Sequence, residues 1–106
     1  MICIVCKSEF LSSQIKEICS THVSEKILEV PFLNLLQILK SEKVRLVFFD
    51  SEFFTDSAEY RKTSPSTRFI VISAAGFEVE AEKAICCGAS GFVLCPDDQN
   101  GVINWL

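Results

Sequence analysis

Four short apolar runs limit what this chain can fold into: ICIV at 2–5, VRLVFF at 44–49, FIVI at 69–72 and GFVL at 91–94. A strand with one wet face alternates apolar and polar residues. An almost unbroken apolar run of four to six residues fits a strand covered on both faces. The stretches between the runs carry helical spacing instead. Leu11, Ile15 and Ile18 follow Ser8, a good capping residue, so Ser8 to about Ser20 reads as an amphipathic helix. Pro31 suits a first helical position, and Phe32, Leu35, Leu36 and Leu39 form a stripe that charge ends between Lys40 and Lys43. His22 to Val30 reads as a weaker edge strand, with His22 solvated in it or in the loop before it. A short helix within TDSAEYRKT would be capped by Thr55 or Asp56. A further helix spans Glu78 to Cys87 and closes at Gly88. Asp97 to Asn100 reads as loop, and Val102 to Leu106 as the first turn of a last helix. One turn is marginal alone, so the chain is expected to be part of a longer protein or to complete that helix with a partner. Apolar strands alternating with helices imply a parallel sheet with helices on both faces.

With 106 residues, 49% of them apolar, the chain suits one domain, 1–106, with a substantial core. Its net charge is -4 and no basic run exceeds two residues, which argues against nucleic-acid binding by this domain. No stretch approaches the roughly 20 apolar residues of a membrane span. The start, MICIVCKSEF, lacks the features of a secretion signal, so a cytoplasmic location is expected. The six cysteines then read as reduced. Cys3 and Cys6 are three apart on a strand and point to opposite faces, which disfavours a metal site. Ser73 has no histidine near it in sequence to act as a base, and neither a dinucleotide fingerprint nor a P-loop is present. An enzyme is not expected.

In a doubly covered parallel sheet, function collects beyond the carboxyl ends of the strands. Those positions hold Cys6 and Lys7, then Asp50, Ser73 and Cys95. Three features here are similar to the receiver domains of bacterial response regulators: Asp50 after VRLVFF, the small Ala74 after Ser73 in VISAAG, and AICCGASGFVLCP. The last matches the family's GA-x-G-aromatic-x-x-K-P signature except at the lysine. The resemblance covers essentially the whole chain. It implies a flavodoxin-like α/β three-layer sandwich with five parallel strands in the order 2-1-3-4-5.

Carried across, the resemblance puts Asp50 at the phospho-acceptor position, Ser73 at the hydroxyl that hydrogen-bonds the phosphoryl group, and Phe92 at the switch aromatic. It also shows departures. Cys6 and Lys7 stand where the family has two Mg2+-binding acids, Cys95 stands where it has lysine, and Phe53 and Phe54 replace the usual Met-Pro. Phosphoryl transfer to a carboxylate brings like charges together, and a divalent cation and a lysine normally offset this. Lys7 is expected to do the neutralising instead: its ammonium about 4 Å from Asp50 would be worth about 4 kcal/mol before desolvation, at an effective dielectric near 20, and would hold Asp50 ionised without metal. The expected function is therefore regulation of an output, such as transcription, by protein contacts, with a degenerate phosphorylation pocket and no cofactor. The partners implied are a histidine kinase and an output domain or second copy docking through residues 78–106. Two alternatives stand beside it: a fully phosphorylatable receiver using Mg2+ at Asp50, and a Cys6/Cys95 redox module.

Overall fold

The computed structural model describes residues 1–50, 58–74, 83, 88–95 and 99–106. Five strands form one parallel sheet: β1 (Ile2–Val5), β2 (Ile27–Glu29), β3 (Leu46–Asp50), β4 (Arg68–Ala74) and β5 (Gly91–Cys95), in the order β2-β1-β3-β4-β5. The order is the expected one. The register runs Val5 to Phe49 between β1 and β3, Asp50 to Ile72 between β3 and β4, and Ala74 to Cys95 between β4 and β5.

The apolar runs are continuous because both sheet faces are covered. On one face, Cys3, Val5, Val47, Phe49, Phe69 and Val71 pack with Leu35 and Leu39 of α2 (Leu35–Ser41). Alternation sends Ile2, Ile4, Leu46, Phe48, Ile70 and Val93 to the other face. There they meet Ile15 and Cys19 of α1 (Glu9–His22) and Val102 of α4 (Gln99–Trp105). Each fully buried Leu, Ile, Val or Phe contributes about 1.5–3 kcal/mol. Tyr60 of α3 (Ala58–Thr63) lies between Phe49 and Phe69, with ring centroids 5.9 and 6.0 Å away.

The helix α1 is capped as its sequence suggests: Ser8 stands in extended conformation and its hydroxyl accepts from the Leu11 amide at 3.3 Å. The buried line is Ser12, Ile15 and Cys19, with Leu11 and Ile18 half-buried beside it. Ser12 tolerates burial because its hydroxyl donates to Glu29 on edge strand β2 at 2.7 Å. Two helix boundaries differ from the sequence reading. His22 belongs to α1 rather than a loop or strand, its Nδ1 lying 2.9 Å from the Ile18 carbonyl. Pro31 precedes a 3-10 turn, Phe32–Asn34, and α2 begins after it.

The last helix also starts earlier than expected, at Gln99, so Gln99 and Asn100 are helical rather than loop. Both are exposed, and what fixes the helix is its apolar side. Val102 is fully buried and the Trp105 ring lies over Gly91 at the start of β5. A Cβ built on Gly91 would overlap that ring, with two further ring atoms at 2.9 and 3.0 Å. Gly88 adopts φ 105°, the left-handed region that suits a glycine closing a helix. The expected helix at 78–87 lies outside the described residues apart from Lys83, which is helical. The Thr55 or Asp56 cap and Phe53 and Phe54 lie outside them too.

At the amino ends of the strands, Glu25 accepts from the Arg45 guanidinium and from the chain's amino terminus, the latter at 3.1 Å. The Arg45 bond, chiefly, holds the Glu25 carboxyl below the usual carboxylate range. Among the described residues no helix is long and apolar enough to cross a membrane.

The Gly91 contact sets a test. Gly91→Ala should lower stability by about 1–3 kcal/mol through overpacking, read as a lower urea midpoint. The penalty should shrink in a Trp105→Leu background. An unchanged midpoint in Gly91→Ala would contradict this packing.

Candidate functional site

The strand order places the carboxyl ends of β1 and β3 side by side, with β4 and β5 following on the β3 side. Asp50 is the last residue of β3 rather than the residue after it, and Cys6 and Lys7 follow β1 directly. Ser73 lies in β4 one residue beyond Ile72, the register partner of Asp50. Cys95 is the last residue of β5, paired with Ala74. All the residues singled out at the strand ends therefore share one end of the sheet.

Asp50 is buried, with only 9% of its surface exposed. A carboxylate so placed needs hydrogen-bond donors to offset its lost hydration. One is supplied across the strand boundary: the main-chain N–H of Lys7 donates to Asp50 Oδ2 at 3.3 Å. The sequence reading looked to the Lys7 side chain; the bond placed between these residues comes from its backbone, and Lys7 as a residue is exposed.

Beside this bond, on the β2 side, a groove of about 540 Å³ opens at the carboxyl ends of β1 and β2. Cys6, Lys7, Glu9, Ser12, Glu29 and Pro31 lie along it. Glu29 is engaged there by the Ser12 hydroxyl and by the Lys16 ammonium at 3.7 Å. The 3.6-residue and two-residue periods in the sequence place residues on faces, but they do not show that two adjacent turns enclose a groove.

Phe92 is half-buried against the cluster that contains Phe49, Phe69 and Val71. Cys6 and Cys95 are a correction. Two whole strands, β3 and β4, separate the ends of β1 and β5. Three strand spacings amount to about 14 Å, whereas a disulfide needs Cα atoms within about 7 Å. The intact sheet keeps these two cysteines from pairing. Cys3 and Cys19 are buried free thiols, and Cys6 is half-buried. Burial pushes the thiols of Cys3 and Cys19 up to about 11.

No family model and no curated relative matches the chain. The fold nevertheless matches solved structures closely. The receiver domain of NtrX from Brucella abortus superposes with a TM-score of 0.83 at 22% identity, over 99% of this chain and 93% of that one. A longer NtrX chain from Brucella abortus gives a TM-score of 0.81 at 22% identity over 98% of this chain, which spans only 25% of that one. The receiver domain of a sensor histidine kinase from Pseudomonas aeruginosa, solved with a magnesium ion in its active-site cleft, gives 0.79 at 11% identity, over 98% of this chain and 91% of that one. The chain thus has the receiver fold, as its sequence motifs imply.

The burial difference among the thiols predicts their order of reaction. In the folded protein at pH 7.5, iodoacetamide should alkylate Cys6 well before Cys3 or Cys19, because a thiol pushed to about 11 holds little thiolate there. Peptide mass spectrometry reads the order. Equal rates at the three sites would contradict the burial.

Proposed function

We propose that this chain is a receiver-like signalling module that regulates an output by protein contacts, with a phosphorylation pocket that has lost its metal-assisted chemistry. The observation that carries the reading is the content of the strand ends in a receiver fold: Asp50 closes β3, while Cys6 and Lys7 follow β1. Mg2+ takes oxygen ligands in near-octahedral order and is usually held by one or two carboxylates with phosphate and water. A thiol is a poor donor to it, and an ammonium repels it. Among the described residues no group of three His, Cys, Asp or Glu side chains is placed to hold a metal ion. These residues do not fit the cation that the fold's chemistry uses.

Without that cation, and with Cys95 at the lysine position, two of the charges that normally offset a phosphoryl group arriving at the aspartate are gone. Signalling then rests on surfaces. The proposed surface is 78–106, whose described part holds β5 and α4, with Ile103, Trp105 and Leu106 half-buried along the last helix. An output domain such as a transcription regulator and a second copy of the chain are the partner classes this surface suits, with a histidine kinase as a separate upstream partner, in a cytoplasmic setting.

A phosphorylatable receiver is the competing reading. It draws support from a fold neighbour from Burkholderia pseudomallei that was solved with a phosphorylated aspartic acid and a calcium ion. Incubation with acetyl phosphate and Mg2+, followed by intact-protein mass spectrometry, separates the two. The proposal expects no stoichiometric phosphate adduct, with or without Mg2+. Rapid adduct formation that Asp50→Asn abolishes would overturn it.

A further inference from the structure

We infer that Asp50 is a positioning residue for the turn between β1 and α1, and through it shapes the groove beside β2. This holds whether or not Asp50 accepts phosphate. The inference starts from the bond between the Lys7 N–H and Asp50 Oδ2, which joins residues 43 apart in sequence. Lys7 is exposed and lies outside both β1 and α1, so neither ladder nor helix holds its amide. Its acceptor, by contrast, belongs to an interior strand whose five residues are all buried. An exposed backbone segment is thus tied to a buried strand.

The consequence reaches the groove directly. Cys6 and Lys7 line it, and Ser8 next in the chain caps α1. The opposite wall, Glu29 to Pro31, is itself tied to the first: the Val30 amide donates to the Ile4 carbonyl at 2.9 Å and Ser12 donates to Glu29. One wall is therefore fixed through β2 and the other through Asp50. Loss of the Asp50 bond removes one tie on the Lys7 backbone while the β1 ladder and the Ser8 cap of α1 keep theirs.

Amide hydrogen exchange tests this. In the unaltered protein the Lys7 amide should exchange at least tenfold more slowly than an unstructured amide of the same sequence, although the residue is exposed. Asp50→Ala should speed Lys7 exchange at least tenfold while Val47, in the middle of β3, keeps its rate. Asp50→Asn, which retains an acceptor oxygen, should exchange more slowly at Lys7 than Asp50→Ala. Should Asp50→Ala not fold, the unaltered protein and Asp50→Asn still decide the matter. An unprotected Lys7 amide in the unaltered protein, or an unchanged Lys7 rate in Asp50→Ala, would overturn the inference. Because no phosphate is involved, this outcome is independent of the phosphorylation assay.

Discussion

The ladder between β1 and β3 is the constraint on which the rest depends. Its register sets Ile2 against Leu46 and Val5 against Phe49, so the two strands end level with each other. Because β1 also pairs β2, and β3 also pairs β4, both are interior strands with no free edge. Their side chains fill both cores: Cys3, Val5, Val47 and Phe49 on one face, Ile2, Ile4, Leu46 and Phe48 on the other. A slip of one residue would exchange the two sets and move Asp50 away from Lys7. The fold and the strand-end constellation are fixed by the same pairing.

At that end of the sheet the proposed pocket works with electrostatics unlike those of a metal-dependent site. A buried carboxylate is costly unless donors surround it. Where acids gather, a divalent cation answers their combined charge. Here a main-chain amide donates to Asp50, and the residues that follow β1 are a cysteine and a lysine. Under the proposed reading, such an arrangement costs less to keep without metal and offers less to an incoming phosphoryl group. A fold neighbour from Pseudomonas aeruginosa holds a magnesium ion in its active-site cleft, so the proposed difference would lie in side chains and not in the fold.

Much of this was legible in the sequence. Continuous apolar runs named four of the strands because double burial removes the polar alternation that would otherwise mark a face. The small-residue turn Gly88-Ala89-Ser90-Gly91 showed where β5 begins, and Gly88 does adopt a positive φ. What the sequence did not show depended on contacts distant in the chain. His22 joins α1 through its bond to Ile18, and α4 starts at Gln99 because Val102 and Trp105 anchor it from further on. Proximity along the strand ends suggested that Cys6 and Cys95 meet; strand order, a property of the whole sheet, keeps them apart. Lys7 was read by its charge, whereas the amide every residue carries makes the bond to Asp50.

The central claim is that the Asp50 site is organised by the protein's own backbone rather than by a cation. A Mg2+ titration followed by amide chemical shifts addresses it directly. The account predicts no saturable shift at Cys6, Lys7 or Asp50 up to 20-fold more Mg2+ than about 1 mM, beyond the uniform drift that ionic strength causes. Saturable shifts confined to those three amides, lost in Asp50→Asn, would contradict it.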